Sequence, residues 1–232
     1  MSFPNAVRLQ PEVGVPGARA SMNPISVISR VAQSAVNVAA FVWPGSDTDN
    51  QVQNTGNGKP LGFAITDQSG VIPNYLQEYS MQVPAGFAVQ VAERGEFFAK
   101  SAANAATLGQ KVYANYGDGS LSFGATGAAA TNAGITANTT SGSNVLTVTA
   151  NSGANIQVGQ PVSGAGIPAG TYIAALGTGT GGAGTYTLSQ NATASGTGVT
   201  VTATLNVETP FVVSRGGAAG AVIKISTWSQ LA

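Results

Sequence analysis

The chain has 232 residues, 43% of them hydrophobic, with nine Lys/Arg against nine Asp/Glu and neither His nor Cys. Without His or Cys there can be no Ser-His-Asp triad, cysteine nucleophile or His/Cys zinc site, and a net charge of zero gives no counterion-release drive towards nucleic acid. No run of about 18 apolar residues is present to span a membrane, and the N-terminus lacks the basic and apolar regions of a signal peptide.

Residues 1–24 form a Pro/Gly-rich extended arm containing Val13-Gly14-Val15-Pro16-Gly17. An arm with so little apolar face is ordered only by lying on something else. Strand patterns follow at residues 25–31 and 36–43, the second stopped by Pro44-Gly45. Residues 46–59 read as a polar loop, and Pro60 leads into a strand over 61–66. Residues 72–80 suit either a short helix or an irregular strand. Val83-Pro84-Ala85-Gly86 turns into a strand at 87–92, and Glu93-Arg94-Gly95 reads as a hairpin turn into 96–100. A strand at 111–115 is followed by the turn Gly117-Asp118-Gly119 and a strand at 121–123. Short strands about every 8–12 residues, with turn signals between them, predict an all-β barrel or sandwich.

Residues 119–207 carry no charge at all, where a folded stretch of that length ordinarily has about 20. The strand pattern nevertheless continues with smaller side chains. Residues 145–149 alternate apolar and polar, so one face is buried and the other wet. Residues 160–163 suit an edge strand, because Pro161 cannot donate to a central ladder. Further strands fall at 171–176, 185–188 and 199–205. After Glu208 the charged style returns, and residues 211–214 and 221–228 around Arg215-Gly216-Gly217 read as a terminal hairpin. The economical arrangement is a core of residues 25–134 with 206–232, interrupted by an uncharged β-sandwich module at 135–205. Insertion into a loop is cheap, since closure entropy grows only logarithmically with length.

No motif points to catalysis, a cofactor or a metal. Gly177-Thr178-Gly179-Thr180-Gly181-Gly182 has the spacing of a dinucleotide loop, but a Thr/Tyr strand follows it where a helix N-terminus is needed; it reads as a hairpin turn. Asp47-Thr48-Asp49-Asn50 opens like a calcium loop and fails at Val52, where that loop requires Gly. Glu93 and Glu96 could form a carboxylate pair, but Arg94 and Lys100 beside them favour a salt-bridged hairpin. Adjacent Phe97 and Phe98 must point to opposite faces of a strand, which leaves one of them for an interface. Tyr172 and Tyr186 are candidates for stacking on sugar rings, although strand tyrosines more often pack.

Several stretches resemble, in order, the bacteriophage structural cement, or capsid decoration, proteins. They are Gln10-Pro11-Glu12-Val13-Gly14-Val15-Pro16-Gly17-Ala18-Arg19-Ala20 with Asn23-Pro24, Phe41-Val42-Trp43-Pro44, Pro60-Leu61-Gly62-Phe63, Val83-Pro84-Ala85-Gly86-Phe87, Gly95-Glu96-Phe97-Phe98-Ala99-Lys100, Gly109-Gln110-Lys111-Val112-Tyr113-Ala114-Asn115 and Ile223-Lys224-Ile225-Ser226-Thr227-Trp228. The run from Val158 to Ile173, followed by Gly184-Thr185-Tyr186-Thr187-Leu188-Ser189, is similar to a small β module that recurs in phage structural proteins. The resemblance implies a β-barrel or jelly-roll core without enzymatic activity. Such a protein is made in the host bacterial cytoplasm, binds the outside of the capsid through the major capsid protein, bridges capsomers and forms a homo-oligomer, a dimer or a trimer. It implies no membrane or nucleic-acid partner. The arm supplies the contact candidates Arg8, Pro11, Val13, Val15, Pro16, Arg19 and Asn23. A tail or baseplate role, or glycan binding through the module, are the alternative readings.

Overall fold

The structure is a computed structural model that describes residues 14–66, 81–101 and 104–228, and among these every regular element is a strand. The first seven are β1 (Ser26–Ala32), β2 (Val36–Asn37), β3 (Phe41–Pro44), β4 (Gln51–Gln53), β5 (Gly62–Ala64), β6 (Gln82–Val83) and β7 (Ala88–Arg94). Five close into a barrel in the order β1-β4-β3-β5-β7, with β7 returning antiparallel onto β1. Strands β2 and β6 form a separate pair. Next come β8 (Glu96–Lys100), β9 (Lys111–Asn115) and β10 (Leu121–Gly124); then β11 (Thr131–Thr139), β12 (Val145–Asn151), β13 (Val162–Gly164), β14 (Ile173–Leu176), β15 (Gly184–Leu188) and β16 (Gly196–Thr204); and finally β17 (Asn206–Arg215) and β18 (Val222–Ser226).

Period-2 alternation explains how the barrel and its neighbouring sheet share material. Val42, Val52, Ala64, Val89 and Val91 form one cluster with Ala32 and Val36. Their strand neighbours Phe41, Trp43, Phe63 and Ala92 belong to a second cluster with Phe97, Ala99, Val112, Phe211, Ile223 and Ile225. Strands β3 and β5 are therefore buried on both faces, which is why residues 41–43 and 62–64 read as unbroken apolar runs. The second cluster lies between the barrel and the sheet β10-β9-β17-β18-β8. At its centre Phe41, Phe63, Phe97 and Phe211 meet edge-on or tilted, with ring centroids 5.4–6.3 Å apart, the arrangement the aromatic quadrupole prefers.

The six remaining strands form one sheet, β13-β16-β11-β12-β15-β14, over a separate cluster of Ile135, Leu146, Val148, Ile156, Ile173, Tyr186, Leu188 and Val201 with smaller neighbours. A sandwich of two sheets was expected here; instead the two edges of a single sheet meet. Pro161 pairs with Tyr172, and the flanking bonds are Val162 N to Thr171 O (2.9 Å) and Ile173 N to Gln160 O (3.0 Å). Pro161 thus occupies the non-hydrogen-bonded position of an antiparallel pair, where no N–H is required. The strand that follows it, β13, stands at one end of the strand order, the edge position expected of residues 160–163.

Four local expectations change. Residues 36–43 are two strands, because Ala39 takes a left-handed conformation (φ 59°) and bends the chain between β2 and β3. The polar loop at 46–59 contains β4, whose Val52 is fully buried and pairs with both β1 and β3. Glu93-Arg94-Gly95 is a corner rather than a hairpin, since β7 pairs in the barrel while β8 pairs with β18. Thr131–Thr139 is a long strand (β11) that small residues concealed. The expectation for residues 72–80 lies outside the described residues, whereas the terminal hairpin is present as β17 and β18.

Candidate functional site

From Gly14 onwards the arm lies on this chain's own sheet. Arg19 pairs antiparallel with Phe97 on the free edge of β8, with Ala20 N donating to Glu96 O (2.9 Å), Phe98 N to Ala18 O (2.9 Å) and Gly17 N to Phe98 O (2.7 Å). The arm then crosses to the barrel, where Thr66 donates from its backbone N to Gly17 O and from Oγ1 to Pro16 O, both at 3.0 Å. Gly17 (φ 85°) has no room for a side chain, since a Cβ would run into Thr66 and Val38. Phe97 is buried, and Phe98, on the opposite face, is half-buried, with the Gly14 backbone packed against its ring.

Of the seven contact candidates, Arg8, Pro11 and Val13 fall outside the described residues. Val15 is 56% exposed, Pro16 is half-buried at the crossing, and Arg19 and Asn23 are exposed. The Arg19 guanidinium donates to Asn23 O (2.5 Å). The four described candidates lie along the arm, where Arg19 pairs with β8, Pro16 meets Thr66 and Asn23 is bonded to Arg19. Sequence reasoning missed the residues that adjoin this strap. Met22 (90% exposed) and Ile25 (37%) flank Pro24 in sequence, and the indole N–H of Trp228 (47% exposed) donates to Pro24 O (3.2 Å), which joins the end of β18 to this part of the arm. These positions are some 200 residues apart in sequence, so no local pattern could have joined them.

Glu96 ties the strap down. Its carboxylate pairs with Lys224 Nζ (2.8 Å) and accepts from Ser226 Oγ (3.0 Å) and from the Ser21 side chain. Burial alone would raise its pKa; the Lys224, Ser21 and Ser226 bonds outweigh it and hold the carboxyl below the usual Glu range. Lys224 thus takes the place expected of Arg94 or Lys100, and Glu93 instead accepts from Ser26 Oγ (3.1 Å).

At the base of the module, the incoming and outgoing chains are stapled together. Leu205 N donates to Ala130 O and Ala130 N to Asn206 Oδ1, both at 2.8 Å. Glu208 accepts from Gly127 N (2.7 Å) and from the Tyr113 hydroxyl, which also takes a bond from Ala128 N (2.8 Å). Burial, with the Glu208 carboxylate beside it, pushes the Tyr113 pKa up. Gly159 in the module packs directly on the Gly56 backbone, where any Cβ would collide.

The remaining motifs resolve structurally. Residues 177–182 connect the antiparallel pair β14–β15, and Gly179 lies against the Tyr186 ring, so they form a hairpin connection. Tyr186 is buried, with its hydroxyl donating to Gly182 O (2.7 Å) and accepting from Gly181 N (3.0 Å), so it cannot stack on a sugar. Tyr172 stays partly exposed. The Asp47 carboxylate closes its own turn through Asp49 N, Asn50 N and Asn50 Nδ2. Among the described residues no group of three His, Cys, Asp or Glu comes together to hold a metal, and no helix is long and apolar enough to cross a membrane.

No curated protein matched the chain. Residues 3–148 match the model of the family described as XM1 gp53 minor capsid protein. That span takes in most of the arm, the barrel, β8 to β10, and the first strand and part of the second strand of the uncharged module. It covers more than half of the 232 residues, and the chain therefore belongs to the XM1 gp53 minor capsid protein family, which makes it a structural protein of a phage virion.

Proposed function

We propose that this protein binds the outer surface of a phage capsid and reinforces the contacts between capsomers, without enzymatic activity. Membership of a minor capsid protein family carries this reading. The strap on β8 supports it, because residues 17–20 hold the described part of the arm on the outside of the core, next in sequence to the contact candidates Arg8, Pro11 and Val13. Residues 25–134 with 206–232 act as the attached core, as a dimer or trimer. Residues 135–205 form an outward-facing module, whose own cluster and stapled base suit an independent body.

The test adds purified protein to shells of its phage that lack it and locates it by electron cryo-microscopy. Density on the outside, bridging capsomers, together with shells that withstand heating better, is expected. Density confined to the tail or the shell interior would refute the reading. Deleting residues 2–13 is expected to abolish shell binding while the barrel stays folded.

A further inference from the structure

We propose that Met22, Ile25 and Trp228, rimmed by Arg19 and Arg94, form the anchor that seats the protein on the shell, and that its counterpart on the major capsid protein is an apolar pocket edged with carboxylates. The inference rests on the capsid-binding reading above and adds the contact surface and its chemistry.

Three observations support it. The first is preorganisation. The Trp228 ring is exposed yet held: its indole N–H is bonded to Pro24 O, and its backbone N donates to Ser226 Oγ (3.0 Å). Its neighbour Thr227 is stapled to Gly95 in both directions, N to Gly95 O and Gly95 N to Oγ1, each at 3.0 Å. Gly95 (φ 143°) leaves room that Ile25 and the Phe97 ring fill on its open side. An exposed ring already fixed in place loses little entropy on binding.

The second observation is composition. Trp, Met and Arg are enriched at the centres of protein interfaces, and here Trp228 is bonded to the segment that carries Arg19 and Met22, with all three left exposed. The third is charge. Of the nearby carboxylates Glu96 is paired with Lys224, while Glu93 accepts only from the neutral Ser26 hydroxyl and keeps its charge. Arg94, in register with Ser26 beside Ile25, has no partner among the described residues, and Arg19 donates only to a backbone carbonyl. Two arginines against one glutamate leave the corner with an excess of positive charge, so the complementary surface is acidic.

Trp43 is 1% exposed, so a soluble quencher reads Trp228 alone. Acrylamide quenching of the full chain is expected to fall when protein-free shells are added. Trp228→Ala and Met22→Glu should each weaken shell binding at least about tenfold with unchanged melting. The double variant Arg19→Glu/Arg94→Glu should bind more weakly and lose the wild-type weakening by salt. Wild-type protein that binds shells with Trp228 still fully quenchable, or variants that bind as wild type, would overturn the anchor while leaving the capsid reading intact. Wild-type protein that binds no shell overturns both. A dimer lost in Trp228→Ala with shell binding retained would give the corner to a second copy, and overturns the proposal too.

Discussion

The two hydrophobic bodies of this molecule solve the same problem with different materials. The core joins a barrel to a sheet completed by strands from the far end of the chain, and it fills the join with four phenylalanine rings from β3, β5, β8 and β17. The module is built from one contiguous stretch, has Tyr186 as its one buried ring, and relies on Val, Ile, Leu and Ala over a satisfied asparagine network. Large rings give the most buried area per ordered residue, which helps where segments distant in sequence must be brought together. A locally closed sheet pays less for loop closure and can be made of small, uncharged residues. The difference predicts two bodies that melt separately.

The largest effect that would test this is at the ring cluster. Phe211 is 1% exposed and touches Phe41, Phe63 and Phe97. Phe211→Ala should cost the core about 3–5 kcal/mol and lower one calorimetric transition while the other stays. If both transitions fall together, the bodies are one cooperative unit and the comparison fails.

A middle-sized effect belongs to the module. Asn132, 5% exposed, donates to Asn151 Oδ1 (2.9 Å) and Ala154 O (2.8 Å) and accepts from Gly134 N (2.9 Å). Asn132→Ala removes these three bonds and leaves Gly134 N unpaired, while Asn151 Oδ1 keeps Gly153 N and Ala154 O keeps Asn151 Nδ2; it should cost about 1–3 kcal/mol, in the module's transition alone. Excising residues 131–204 and joining Ala130 to Leu205 through a short Gly/Ser bridge is gentler still, because those residues are already hydrogen-bonded. The remaining core should melt within about 4 °C of its position in the full chain, and loss of its cooperative transition would show that the module is needed for the core to fold.

What the sequence revealed, and what it hid, follows from how local each signal is. The alternation at 145–149 and the terminal hairpin were legible because a single strand carries its own pattern. The kink at Ala39 was not, since Ala gives no hint of a left-handed conformation. Strand β4 offers one apolar residue between two glutamines, and β11 is mostly Thr, Asn, Ala and Gly, so neither looks like a strand until its partners are known. At the candidate contact surface the arm could be picked out by composition, whereas the Trp228 corner exists only after folding joins it to Pro24.

The smallest effect is the most discriminating, because the two bodies differ most in charge. Residues 119–207 hold no Asp, Glu, Lys, Arg or His, so acid leaves the module's hydrogen bonds and packing as they are. The core holds Glu96, whose folded pKa is depressed despite its burial by bonds from Lys224, Ser21 and Ser226. A depressed carboxylate contributes stability that is fully present above its unfolded value, about 4.3, and that is lost as pH falls through the folded value. The Glu96–Lys224 pair, with side chains 12% and 27% exposed, should account for about 1 kcal/mol or less. Lowering the pH from 7 to 3 should therefore move the core transition down and leave the module transition in place. Glu96→Gln should lower the core transition at pH 7 and flatten this part of its pH response. A module transition that moves with acid as far as the core's would mean that the stapled base transmits core stability into the uncharged body, and the separation between them would have to be given up.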